Sequence, residues 1–275
     1  MILTEMKRVL VEGDIQLTKS LGQNFLHDGN QLRRIVDAGE VCATDSVLEI
    51  GPGLGPLTEL LLADAGKVLA IEMDRRLVEV LEKRFADSNR LQLIADDALK
   101  FIRQNPRDWS EWKLVANLPY SVASPILVEL AQCAAPPKRM TVTLQLEVAQ
   151  RVISGAGDDD YGLLALLVQR VFEPAGSFKI PAACFFPPPD VDSACVTLVR
   201  RETPLLSAAD APIFERIVRR GFSQRRKMMM KLLKQDWPTE RLAAAFTALE
   251  LSVQVRAERV SLAQFVELTK LLAPR

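Results

Sequence analysis

From Val41 onward, short apolar runs alternate with longer segments whose apolar positions recur every three or four residues. The runs "SVLEI" (46–50), "KVLAIE" (67–72), "RLQLIADDAL" (90–99), "KLVAN" (113–117) and "RMTVTLQL" (139–146) predict strands. Helical periodicity falls on "PLTELLLADAG" (56–66), "DRRLVEVLEKRFADS" (74–88), "SPILVELAQCA" (124–134) and "EVAQRVIS" (147–154). Such alternation, with strands apolar throughout, predicts a parallel sheet covered on both faces. After the acidic surface loop "GAGDDD" (155–160), "YGLLALLVQRVFE" (161–173) predicts a further helix. Two closely spaced strands, "AGSFKIP" (175–181) and "SACVTLVRR" (193–201), are joined through "CFFPPPDVD" and predict an antiparallel pair at one sheet edge. Beyond the linker "ETPLLSAADAP" only helical periodicity remains. The pattern therefore predicts an α/β domain over 1–202 and a small all-helical domain over 203–275.

Composition narrows the functional classes. The 275 residues carry 35 Lys and Arg against 35 Asp and Glu, so a generally basic nucleic-acid binder is disfavoured and any such contact must rest on a local patch. Four dispersed cysteines without a CxxC pair read as reduced core thiols in a reducing compartment. A single histidine, His27, disfavours histidine metal clusters and a Ser-His-Asp triad. The N-terminus "MILTEMKRVLVEGD" has acids inside any apolar core and does not read as a signal peptide. No apolar run approaches the ~20 residues that span a bilayer. The expectation is a cytoplasmic protein, with no metal and no membrane partner.

Candidate chemistry lies at successive strand ends. "VLEIGPGLG" places glycines in the turn leaving the first of these strands, where a tight turn and a close ligand approach are needed. Glu72 ends the next strand, 21 positions after Gly51, a spacing at which an acid accepts hydrogen bonds from ribose hydroxyls. Asp97 follows the third strand and could accept from an adenine amino group. Ligands bind at the carboxyl ends of parallel strands, so Gly51, Glu72 and Asp97 describe an adenosine pocket. Whether its ligand is NAD or S-adenosylmethionine depends on the fourth strand.

That strand ends in "NLPY" (117–120). Asn117 offers a carbonyl acceptor, and a turn held by Pro119 can aim a backbone carbonyl at the same point. Two converging acceptors hold an exocyclic amine and favour the pyramidal nitrogen that develops during attack on a methyl group. Tyr120 offers a stacking platform for a flat ring. The competing reading is an asparagine that caps the next helix beside a core tyrosine, and related tetrapeptides also serve enzymes that methylate glutamine amides.

The whole set resembles the KsgA (RsmA) family of small-subunit rRNA adenine dimethyltransferases. "LGQNFL" (21–26), "LEIGPGLGPLT" (48–58), "IEMD" (71–74), "DDAL" (96–99), "NLPY" (117–120), "FFPPPDVDSA" (185–194), "FSQRRKMM" (222–229) and "RAERVSLAQF" (256–265) occur in the family's order across nearly the whole chain. The resemblance implies a class I, Rossmann-like methyltransferase fold, S-adenosylmethionine as donor, and two methyls on N6 of each of two adjacent adenosines near the 3′ end of 16S rRNA. It implies a monomer that acts on an immature small ribosomal subunit. It also implies cofactor contacts at Asn24, Leu26, Gly51, Glu72, Asp97 and Asn117, with Tyr120 and Phe185 on opposite faces of a flipped adenine.

Two departures concern RNA contacts. The segment before QNFL is "GDIQLTKSLG", poorer in Lys and Arg than the family's, and "GAGDDDYGLLALL" carries an acidic insert. Basic charge is concentrated instead between Asp210 and Asp236, with eight Lys and Arg against three acids. A solvated face is the plain reading of such a cluster. Beside a base-directed active site, Arg219, Arg220, Arg225, Arg226 and Lys227 become candidates for gripping phosphates. The rivals are the related large-subunit rRNA adenine methyltransferases that confer macrolide resistance, and a ribosome-assembly or transcription factor that kept the fold without catalysis.

Overall fold

In the computed structural model, which describes residues 1–16, 23–224 and 226–274, the chain divides into two units. One comprises Met1–Ala149 with Glu173–Arg200, the other Gln150–Phe172 with Arg201–Arg275.

The first unit opens with a helix absent from the strand–helix pattern, α1 (Leu3–Glu12), which buries Met6 and Leu10. A two-residue strand, β1 (Phe25–Leu26), follows. Then come α2 (Gly29–Ala38), β2 (Ser46–Ile50), α3 (Pro56–Asp64), β3 (Lys67–Glu72), α4 (Arg75–Arg84), β4 (Leu91–Ala95), α5 (Ala98–Gln104), β5 (Trp112–Asn117), α6 (Ala123–Gln132), β6 (Arg139–Gln145) and α7 (Leu146–Ile153). β2 and β3 coincide with the predicted runs, because their apolar side chains are buried on both faces. Asp28, Asp74 and Asp97 cap α2, α4 and α5 by accepting backbone N–H bonds from Gln31, Arg76 and Lys100.

The predicted helix over 161–173 is shorter, α8 (Leu163–Gln169). Its expected tail belongs to β7 (Phe172–Ile180), since Pro174 and Gly176 cannot sustain a helix. Next are β8 (Phe185–Phe186) and β9 (Ser193–Arg200). The main sheet has the order β4-β3-β2-β5-β6-β9-β7. β4, β3, β2, β5 and β6 are mutually parallel, and β9 runs antiparallel to β6. The carboxyl ends of β2, β3, β4 and β5 therefore share one edge, where the sequence pattern puts the site. A separate two-stranded sheet pairs β1 with β8.

The second unit contains α8, α9 (Ala211–Gly221), α10 (Met229–Leu233), α11 (Thr239–Ala248) and α12 (Leu262–Leu272), packed through Phe214, Leu242, Phe246 and Phe265. Segment 150–172, which the sequence pattern puts in the α/β domain, groups with these helices. The Tyr161 hydroxyl donates to the Val260 carbonyl at 3.0 Å, its ring meets Phe222 edge-on, and the Gly157 amide donates to Glu258. A linear reading cannot detect such a return, because the interactions that make it span about a hundred residues.

Candidate active site

The strand ends of the first unit surround a cavity of about 270 Å³ lined by Gln23, Asn24, Gly51, Glu72, Asp97, Asn117 and Tyr120, among others. Its floor is the turn after β2. Gly51 and Gly53 have φ of +69° and +61°, a region that side chains rarely adopt. A Cβ on Gly53 would come within 2.7 Å of the Phe25 ring, and one on Gly51 within 3.0 Å of Pro119. These glycines thus let Phe25, before α2, and Pro119, after β5, pack closely against the turn.

Glu72, at the end of β3, is 8 % exposed. One carboxylate oxygen accepts from the Gly53 amide at 3.1 Å, and the other from the Met73 and Asp74 amides at 2.9 Å each. Burial raises its pKa, against the lowering effect of those three N–H donors. The carboxylate is thereby fixed in direction at the cavity wall. Asp74, in the same turn, accepts from Gln23 Nε2 at 2.9 Å and pairs with Arg76, whose guanidinium holds the Asp74 carboxyl below its ordinary range. Asp97 caps α5 with one oxygen at 3.0 Å from the Lys100 amide while lining the cavity.

Asn117 has the most telling environment. Its Nδ2 donates to the backbone carbonyl of Asn24 at 3.1 Å, which sets the orientation of the amide. Its Oδ1 is buried and has no hydrogen-bond partner among the described residues. A buried acceptor left unpaired costs about 1–3 kcal/mol, which a ligand donor would recover. Pro119 holds the turn, its carbonyl accepting from Val122 at 3.1 Å. Tyr120 lines the cavity, and burial raises its hydroxyl pKa. The pocket fits an adenosine-bearing donor: a backbone turn without side chains, a directed carboxylate, a capping aspartate and an unsatisfied amide oxygen converge on it.

Two of the expected site residues do not reach the cavity. β1 and β8 pair Phe25 with Phe186 and Leu26 with Phe185. The pleat sends Leu26 and Phe185, each 2 % exposed, into the core with Leu32 and Val115. Phe25 and Phe186 pack on the other side with Met6 and Leu77. The side chains of Leu26 and Phe185 are therefore packed in the core in this structure, and neither lines the cavity. Conversely, no local pattern marks Gln23 or the Asn24 carbonyl, whose partners lie 51 and 93 positions away.

Of the basic candidates in the second unit, Arg225 lies outside the described residues. Arg219 pairs with Glu215 at 2.7 Å. Arg220 pairs with Asp236 at 2.6 Å, and Arg216 joins the same carboxylate. Arg226 and Lys227 are exposed in the turn between α9 and α10, with no ion-pair partner among the described residues. Met229 and Met230 are buried packing residues of α10, while Met228 is 41 % exposed. Among the described residues no group of three or more His, Cys, Asp or Glu is placed to hold a metal ion, and no helix is long and apolar enough to cross a membrane.

Comparison with known proteins agrees with this geometry. The "Ribosomal RNA adenine dimethylase" family description matches residues 15–274. The chain is 37 % identical to ribosomal RNA small subunit methyltransferase A of Geobacillus kaustophilus, over 98 % of this chain and 95 % of the relative. It is 40 % identical to the protein of that name from Gloeobacter violaceus, over 93 % of each. Among solved structures it is similar to a dimethyladenosine transferase from Plasmodium falciparum, with TM-score 0.77, 26 % identity, and 89 % and 95 % of the two chains covered. It is also similar to the 23S rRNA methyltransferase ErmE, with TM-score 0.71, 27 % identity, and 90 % and 99 % covered. With likeness to that family along nearly its full length, and a directed amide oxygen in a cavity at the strand ends, this chain belongs to the ribosomal RNA adenine dimethylase family.

Proposed function

We propose that the protein dimethylates N6 of two adjacent adenosines near the 3′ end of 16S rRNA, with S-adenosylmethionine as donor. The observation that carries this reading is the buried Oδ1 of Asn117, unpartnered among the described residues and held in direction by the Asn24 carbonyl in a cavity that Tyr120 also lines. When bound, S-adenosylmethionine supplies an electrophilic methyl group. The chain's own residues do the rest by placement. Glu72 accepts from ribose hydroxyls, and Asp97 accepts from the adenine amino group of the donor through the oxygen its cap leaves open. Asn117 accepts an N–H of the target amine. That bond strengthens as the nitrogen becomes pyramidal and its N–H groups more acidic, so it favours the transition state over the planar ground state. Tyr120 stacks on the base once it is unpaired from its helix.

The substrate is rRNA within an immature small subunit, bound by a monomer in the cytoplasm without a metal. Small-subunit specificity is supported by relatives of 37–40 % identity that bear that name, against 27 % for the 23S enzyme. Arg226 and Lys227, with Arg219 and Arg220, are the proposed phosphate-binding residues of the helical unit. The test is methyl transfer from labelled donor to isolated small and large subunits, followed by nucleoside analysis. Dimethyladenosine in the small subunit is expected. Label confined to the large subunit, or an unmodified adenosine pool, would overturn the reading.

A further inference from the structure

The motif "FFPPPDVDSA" includes a serine to which neither the strand pattern nor the adenine pocket gives a task. Ser193 opens β9, opposite Gln145 at the end of β6, and is completely buried. Its Oγ lies 2.7 Å from the hydroxyl of Tyr120, 73 positions earlier. Deprived of water, the Ser193 hydroxyl finds its hydrogen bond on that phenol.

The neighbouring residue explains why Ser193 can serve as a fixed point. Asp192 accepts from the Ala182 amide at 2.9 Å and pairs with Lys179 at 2.7 Å, and its own carbonyl accepts from the Leu146 amide at 3.0 Å. The Asp192–Ser193 peptide is thus held by β7, by the segment before β8 and by the start of α7. Tyr120 is held at its backbone end by the turn in which Val122 donates to Pro119, and at its hydroxyl end by Ser193. A ring tied at both ends keeps its long axis in place, whereas a ring tied only at Cβ can swing.

We infer that Ser193 is a positioning residue, which fixes the long axis of the Tyr120 ring so that a stacked base presents its amine to Asn117 Oδ1. The inference rests on the proposed function, since it concerns the same base. Orientation of this kind acts on the chemical step more than on overall RNA affinity, because the rest of the RNA binds elsewhere on the protein. It also separates the two roles of Tyr120: the ring supplies stacking area, and the hydroxyl supplies aim.

The test is a double-mutant cycle of Ser193→Ala and Tyr120→Phe, read by single-turnover methylation of small subunits at saturating donor, with subunit affinity measured separately. Each single variant should lose about 2- to 13-fold in rate, the value of one neutral hydrogen bond, with affinity unchanged. The double variant should be no slower than either single one, because both remove the same bond. Ser193→Thr, which keeps a hydroxyl, should recover more rate than Ser193→Ala. If the two losses multiply in the double variant, or Ser193→Ala leaves the rate unchanged, Ser193 does not act through Tyr120 and the inference fails. A fall in thermal midpoint for Ser193→Ala that accounts for its whole loss, with Tyr120→Phe fully active, would overturn it equally. Those failures leave the proposed function standing, provided the unaltered protein dimethylates the small subunit. No methylation by the unaltered protein would remove both.

Discussion

Asn117 combines two properties that a structural asparagine does not need together: one end of its amide is tied to a backbone carbonyl, and the other is buried without a partner among the described residues. Replacing it by Ala removes the only side-chain acceptor proposed for the reacting amine. Turnover should fall about 10²- to 10³-fold, the usual cost of losing one preorganised group, while RNA affinity stays near that of the parent. Single-turnover methylation and subunit binding, measured on the same preparation, distinguish this from a folding defect. A second residue-scale prediction concerns Glu49, on β2, which is 1 % exposed and has an unpartnered Oε2. Burial pushes its pKa from 4.5 up to about 8, and the Glu72 charge adds to the shift. Below pH 4.5 the carboxyl is neutral in both folded and unfolded chains and exerts no penalty. Between 4.5 and about 8 the unfolded chain ionises and the folded one does not, so stability is lost as pH rises through this window. Glu49→Gln cannot ionise. Its stability relative to the parent should therefore be higher at pH 8 than at pH 5, and denaturant titrations at the two pH values check the sign.

At the scale of elements, the site is a set of strand ends joined by single side chains. Glu72 at the end of β3 holds the Gly53 amide of the turn after β2, so the two walls of the adenosine pocket share one carboxylate. Glu72→Ala should weaken S-adenosylmethionine binding about 10- to 150-fold, the value of one charge-assisted hydrogen bond. Calorimetry on the folded variant measures it, and unchanged affinity would remove Glu72 from the site. The β1–β8 pairing has the opposite lesson. The motif "FFPPPD" carries adjacent aromatics, and a two-residue period puts only one of them on any given face. Phe185 takes the core face, so the aromatic that a motif emphasises is here a support for β1.

For the molecule as a whole, a formal charge of zero conceals an uneven distribution. Much of the basic excess of the second unit is neutralised internally, because Arg216 and Arg220 share Asp236 and Arg219 faces Glu215. Arg226 and Lys227 are left to solvent in the turn between α9 and α10. Replacing both by Ala should weaken subunit binding and flatten its salt dependence. For each phosphate no longer neutralised, the slope of log affinity against log salt should decrease by about 0.7–0.9. Donor affinity should be unchanged. Weaker binding with an unaltered slope would assign the two residues a structural role.

The sequence by itself determined the strand–helix order, the covered parallel sheet and the placement of Gly51, Glu72, Asp97 and Asn117 on one edge. It could do so because burial on both faces leaves apolar runs, and parallel strands carry their following residues to a common side. Only the tertiary structure decided which neighbours complete the site. The Asn24 carbonyl on Asn117, Gln23 on Asp74 and Ser193 on Tyr120 join positions 93, 51 and 73 residues apart. It also decided that Phe185 and Leu26 face inward, and that 150–172 joins the helical unit. Local pattern reports what a residue's immediate neighbours require of it. A hydrogen bond across the fold leaves no such pattern, because either partner alone is simply a polar residue in a turn or at a strand end.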